Sequence, residues 1–257
     1  MKIVAIIQAR MSSSRLPGKV LKEISGKPML QHVVERVRRS QIVDEVLVAT
    51  TIEASDDPLA DYCQQNGIAV FRGPLQDVLD RFYQAAKSCG ADVVVRITAD
   101  CPVIDPQLID DLVRQFLAAK VDFAANRLPP PWKRTYPIGL DTEVCTFSAL
   151  ERAWNEADQP YQREHVMPYL YEQEGRFEVL VVNYASDLGS QRWTVDTPED
   201  LEFIQRVFES FGGRNDFGWM DVWKLVVEHP ELSEINAGVR HKVFNESEQK
   251  ADQARQG

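Results

Sequence analysis

Within its first 116 residues the chain alternates four times between a short apolar run and a longer segment with apolar residues at helical spacing. The runs cover residues 3–7, 46–49, 68–71 and 93–98, and the first is unbroken, the mark of a strand buried on both faces. Leu30, Val33, Val34 and Val37 follow the first run, Leu59, Ala60 and Cys63 the second, and Leu79, Phe82, Tyr83 and Ala86 the third. Leu108, Ile109, Leu112, Val113 and Phe116 follow the fourth. Each set is one apolar helix face. Asp57-Pro58 and Asp105-Pro106 are N-cap signals with Pro at the first helical position, and Cys89-Gly90 is a helix stop. Strands separated by helices need crossovers, so the pattern predicts an α/β fold with a mostly parallel central sheet flanked by helices.

The rhythm changes after residue 120. Residues 121–125 form a further expected strand, and 127–139, with four prolines and three cations, an excursion over the active face. Residues 140–147 resume extended structure. Ser148 to Glu151 is a capping-box pattern opening a helix with Leu150, Ala153, Trp154 and Ala157. Pro160 starts a short helix carrying Arg163, Glu164 and His165. Residues 177–182 and 192–195 are expected strands, Thr197-Pro198-Glu199-Asp200 caps a helix, and 219–227 is the final helix. With 257 residues the chain buries about three quarters of its unfolded surface, enough for one core. A single domain over 1–244 with a polar, disordered tail over 245–257 is the expectation.

The first strand delivers the loop that carries the chemistry. Arg10, Arg15 and Lys19 lie within ten residues, interleaved with Ser12, Ser13 and Ser14, and Pro17-Gly18 lets the backbone turn. Three cations and a row of backbone N–H groups at a sheet edge suit a polyphosphate, where a merely solvated loop would need none of this clustering. The net charge of −10 does not oppose that. Charges beyond about 8 Å are screened at physiological ionic strength, whereas a contact pair is worth about 4 kcal/mol before desolvation at an effective dielectric near 20.

The same acidic balance argues against nucleic acid and membrane surfaces as partners. No apolar stretch is long enough to span a bilayer, and Met1-Lys2 leads straight into the first strand without a cleavable leader. Cys63, Cys89, Cys101 and Cys145 are scattered, and the four histidines form no zinc signature. A cytoplasmic protein with reduced thiols is expected. Gly18-Lys19 is no P-loop, since the earlier spaced glycine is missing and Val20 replaces the metal-binding hydroxyl.

Ligands of open α/β sheets bind beyond the carboxyl ends of the strands, near the reversal of strand order. There the fourth run places Asp100 and the expected 192–195 strand places Asp196. Each is also an ordinary turn or helix-start residue. Beside the basic loop they become a candidate Mg²⁺ pair, because Mg²⁺ takes one or two carboxylates plus substrate phosphates.

The segment from Ala9-Arg10 through Arg15-Leu16-Pro17-Gly18-Lys19, with Gly26-Lys27-Pro28-Met29, resembles the first motif of the cytidylyltransferases that activate acid sugars, such as CMP-Kdo and CMP-sialic acid synthetases. Gln8-Ala9-Arg10, Arg96-Ile97-Thr98-Ala99-Asp100-Cys101-Pro102 and Thr194-Val195-Asp196-Thr197-Pro198-Glu199-Asp200 are more similar to the SpsF-like branch named for spore-coat polysaccharide biosynthesis. The resemblance runs to about residue 244. It implies a Rossmann-like nucleotidyltransferase fold, Mg²⁺, CTP and a sugar acceptor as substrates, pyrophosphate release and a homodimer. By position it implies that Gln8, Ala9, Arg10 and Ser13 line the nucleotide. Arg15 and Lys19 hold its phosphates and, with Asp100, form the catalytic set. Asp100 and Asp196 bind the metal. Thr50 and Arg72, at strand ends, are candidates for base or ribose, and Arg127, Glu143, Glu164 and His165 for the acceptor sugar; His165 equally fits a packed structural role. Kdo synthetases read Pro-Ala-Arg and Gln-Gly-Asp-Glu-Pro where this chain has Gln8-Ala9-Arg10 and Thr98-Ala99-Asp100-Cys101-Pro102, so neither Kdo nor sialic acid is implied as acceptor. Two rival functions fit the same sheet. One is a nucleotide-sugar-dependent glycosyltransferase, which usually carries a mid-chain Asp-x-Asp that Asp100-Cys101-Pro102 does not supply. The other is a non-catalytic nucleotide sensor.

Overall fold

The computed structural model describes residues 1–240, so the tail expected over 245–257 lies outside the described residues. Strand β1 (Ile3–Gln8) is followed by a hairpin of β2 (Glu23–Ile24) and β3 (Lys27–Pro28) and by α1 (Met29–Val37). Then come β4 (Glu45–Thr51), α2 (Asp57–Gln65), β5 (Ala69–Gly73), α3 (Val78–Ser88), β6 (Val93–Thr98) and α4 (Pro106–Ala119). The second half holds β7 (Phe123–Ala125), β8 (Glu143–Thr146), α5 (Phe147–Glu156), α6 (Pro160–His165), α7 (Pro168–Tyr171) and β9 (Val179–Val181). Helices α8 (Pro198–Ser210), α9 (Trp219–Glu228) and α10 (Glu231–Glu234) close the described chain.

The seven-stranded sheet has the order β5-β4-β1-β6-β8-β7-β9. Strands β5, β4, β1 and β6 are parallel; β8 runs antiparallel to both neighbours, and β9 pairs parallel with β7. Strand order reverses between β1 and β6, and register sets Gln8 level with both Ala49 and Thr98. The carboxyl ends of three strands therefore meet at one place.

The unbroken apolar run of β1 feeds two cores. Ile3, Ala5 and Ile7 pack on one face with apolar residues of α1, α4, α8 and α9, while Val4 and Ile6 pack on the other with those of α3 and α5. Both faces need apolar side chains because both are covered by helices. Among the described residues no helix is long and apolar enough to cross a membrane.

Three local expectations are corrected. Helix α2 starts at Asp57 rather than after it, so Asp57 is not its N-cap. The N-cap of α5 is Thr146, whose hydroxyl accepts from the Ala149 N–H at 3.1 Å, because β8 runs directly into the helix; Ser148 lies in its first turn. Residues 192–195 form no sheet strand: they meet extended structure through a single parallel bridge between Ile138 and Arg192. The short helices α7 and α10 have no counterpart in the sequence pattern.

Candidate active site

A cleft of about 250 Å³ opens at the reversal of strand order, lined by Gln8, Ala9, Arg10, Ser13, Arg15, Lys19, Asp100 and Asp196 together with Ser14, Val20, Thr98 and Ala99. The loop after β1 is held by its own backbone and one buried acid. Gly18 N–H and Ser13 N–H both donate to the Met11 carbonyl at 2.9 Å, and Gly18 has a left-handed φ of 68°. Leu16 and Val20 bury under the loop. Asp56 accepts the Met11 N–H at 2.7 Å and the Thr50 hydroxyl at 3.0 Å, and also the Thr51 N–H at 3.1 Å. Burial would raise the Asp56 pKa, but the donors from Thr51, Met11 and Thr50 outweigh it and hold the carboxyl below its ordinary value.

The centre of the cleft is Lys19. Its Nζ lies 2.8 Å from Asp100 Oδ2, 2.9 Å from Asp196 Oδ1 and 2.8 Å from the Val195 carbonyl. Burial alone would lower the Lys19 pKa; Asp100 and Asp196 reverse that and raise it. Asp196 also receives Arg15 at 2.8 Å and Arg192 at 2.9 Å, both on Oδ2. Burial pushes the Asp196 carboxyl up, yet Lys19, Arg192 and Arg15 hold it far below the carboxylate range. The segment carrying Asp196 is pinned to the β6 loop, since the Asp100 carbonyl accepts Val195 N–H at 2.9 Å and the Thr194 hydroxyl at 3.0 Å. Behind it, fully buried Asp200 accepts the Asp196 and Thr197 N–H groups at the start of α8, and Arg192 and Asn236 bond both of its oxygens.

Thr50 and Arg72 are placed elsewhere. The Thr50 side chain is buried against Asp56, and Arg72 ties the chain after β4, bonding the Thr51 and Glu53 carbonyls and Asp57. Neither lines the cleft, nor do residues 127–139, which pack on the segment around 183–193 through Thr135 and Ile138.

Of the four acceptor candidates, Glu143 pairs with Arg96 and His165 lies within the fields of Arg96 and Arg127; the sequence motif contains Arg96 but gives it no role. Arg96 bonds Gln8 Oε1 at 2.9 Å and forms an ion pair with Glu143. Burial lowers the His165 pKa, Glu164 opposes that, and Arg96 and Arg127 reinforce it. Arg81 was missed as well: it is fully buried, and desolvation with help from neighbouring Arg10 lowers its pKa to about 10. The signal available for both was an arginine inside an otherwise apolar run or helix face.

The donor set suits a hard divalent cation. Asp100, Asp196 and the Val195 carbonyl present three oxygens to one point, the chemistry Mg²⁺ prefers. Among the described residues no cluster of three or more His, Cys, Asp or Glu could hold a metal, so substrate oxygens would have to complete the shell.

Comparison with known proteins gives a consistent answer. The family described as "Cytidylyltransferase" matches residues 4–218. An uncharacterized protein of Methanocaldococcus jannaschii is 37% identical over 254 residues, covering 97% of this chain and 100% of its own. The spore coat polysaccharide biosynthesis protein SpsF of Bacillus subtilis is 32% identical over 244 residues, covering 90% and 96%. A solved cytidylyltransferase from Leptospira borgpetersenii superposes with a TM-score of 0.86 at 34% identity, covering 94% of this chain and 100% of that one.

Proposed function

The chain belongs to the cytidylyltransferase family and is a nucleotidyltransferase, and from that premise we propose that it is a Mg²⁺-dependent enzyme moving CMP from CTP to an acid sugar destined for surface polysaccharide. A sugar hydroxyl attacks the α-phosphorus, the bond to the bridging α–β oxygen breaks, pyrophosphate leaves with the electron pair, and the hydroxyl proton passes to water. The observation that carries this reading is Lys19, which joins Asp100 and Asp196 in a cleft lined by the basic loop.

Arg10, Ser13 and the backbone around Ala9 line the nucleotide. Arg15 and Lys19 neutralise the charge that develops on the leaving pyrophosphate, where preorganised cations in a partly buried site act most strongly. Asp100 and Asp196 hold the Mg²⁺, which supplies further charge neutralisation at the triphosphate. Arg127, Glu143, Glu164 and His165 receive the sugar, with Arg96 joining Glu143 to Gln8. The low pKa of His165 keeps it neutral near pH 7, so it offers the sugar a hydrogen bond rather than a charge. The enzyme works as a homodimer in the cytoplasm.

The test is a pyrophosphate-release screen crossing CTP, UTP, ATP and GTP with acid and amino sugars, with and without Mg²⁺. Release is expected with CTP, an acid sugar and Mg²⁺ together. Asp100→Ala is expected to cut turnover by about two orders of magnitude or more, the scale of losing an electrostatic group in a preorganised site, with the fold intact by circular dichroism. Near-normal turnover in that variant would remove Asp100 from the mechanism.

A further inference from the structure

The seat just assigned to a divalent ion already holds a cation, and that cation belongs to the chain. Lys19 Nζ meets oxygens of Asp100, Asp196 and Val195 at 2.8–2.9 Å, matching the three protons of an ammonium with three acceptors, and its side chain is only 10% exposed. We infer that Lys19 is a resident cation that fills the divalent-ion seat of the nucleotide-free enzyme and leaves it only when a triphosphate draws the ammonium away, so that metal enters with the nucleotide and not before it. The inference rests on the metal reading of Asp100 and Asp196.

Two physical arguments support it. The first is shared acceptors: an ammonium and a metal ion need the same lone pairs of Asp100 Oδ2 and Asp196 Oδ1, and like charges on common oxygens repel. The second is charge balance. Asp100, Asp196 and Asp200 face Lys19, Arg15 and Arg192, three negative charges against three positive. A divalent ion entering that neutral group brings uncompensated charge into a partly buried site, which is costly. A triphosphate brings several negative charges and offers Lys19 and Arg15 new oxygens. Their departure frees the aspartate oxygens, and the flexible four-carbon stem of lysine permits the swing without backbone movement.

The experiment titrates Mn²⁺ into the protein and follows the electron paramagnetic resonance signal of free Mn²⁺. The wild type, Lys19→Met and Lys19→Met combined with Asp196→Asn are compared without nucleotide, and the wild type and Asp196→Asn with CTP. Without nucleotide, Lys19→Met is expected to bind Mn²⁺ more than about tenfold tighter than the wild type, because no contact ammonium competes. Adding Asp196→Asn should abolish that gain. Wild-type protein that takes up Mn²⁺ without CTP as tightly as Lys19→Met does overturns the inference. If Lys19→Met does not fold, the wild type decides alone, and uptake without CTP as tight as with it likewise overturns the inference. Failure of the metal reading looks different: CTP then brings no Mn²⁺ uptake that Asp196→Asn loses, and both proposals fall together.

Discussion

Arg192 shows how one side chain supports the site without lining it. Its guanidinium bonds Asp196 at 2.9 Å and both oxygens of Asp200 at 2.8 Å, the fork geometry that suits arginine to carboxylates. Asp200 has no exposure and Arg192 almost none, so removing one partner strands a buried charge. Arg192→Leu is expected to cost about 3–5 kcal/mol in urea denaturation, the range for breaking a buried pair. Arg192→Lys should recover only part, since an ammonium cannot serve both aspartates with the same planar fork. That Arg10, Arg15, Lys19, Asp100 and Asp196 meet at one sheet edge was readable from sequence, because strand ends fix where such residues emerge. Arg192 and Asp56 were not, because their roles depend on which side chains surround them after folding. Thr50 and Arg72 also sit at strand ends, yet they do not line the cleft, because Asp56 and the chain after β4 occupy them.

At the scale of elements, the expected caps hold for α4 and α8 and fail for α2, whose helix takes in Asp57, and for α5. Asp105-Pro106 and Thr197-Pro198 follow loops, and there the expected caps are the observed ones, Asp105 accepting the Gln107 and Leu108 N–H groups and Thr197 that of Asp200. Before α5 the strand β8 ends at Thr146 and leaves no loop, so the first residue able to cap is Thr146. Ser148 satisfied the sequence pattern, but it already lies inside the helix. Thr146→Ala is therefore expected to lower stability by about 1 kcal/mol, and Ser148→Ala to stay within about 0.5 kcal/mol, both measured by thermal or urea unfolding. The alternation of β1, β4, β5 and β6 with α1 to α4 was legible because each strand is a distinct apolar run. Strands β7, β8 and β9 fall inside the expected extended stretches 121–125, 140–147 and 177–182, but at three or four residues each they are too short for periodicity to fix their bounds, and the antiparallel course of β8 has no local signature.

For the whole molecule, the two aspartates that share Lys19 differ in how they are built in. Asp100 follows β6, the strand between β1 and β8 inside the seven-stranded sheet. Asp196 lies outside the sheet, on a segment that has one bridge to extended structure at Ile138 and Arg192, packs over Gly139 and is pinned by hydrogen bonds to the Asp100 carbonyl and to Asp200. Gly139 has a φ of 108°, and a Cβ there would lie 2.6 Å from the Trp193 carbonyl carbon and 2.7 Å from the Thr194 nitrogen. Gly139→Ala is expected to push that segment outward and lower turnover, while amides of β1, β4 and β6 keep wild-type hydrogen-exchange protection; loss of protection across the sheet would contradict this division. The cleft thus resembles a vice with one jaw cast into the bench and the other bolted to it at several points. In such a tool the bolts set the gap, so loosening one of them misaligns the work while the bench stays still.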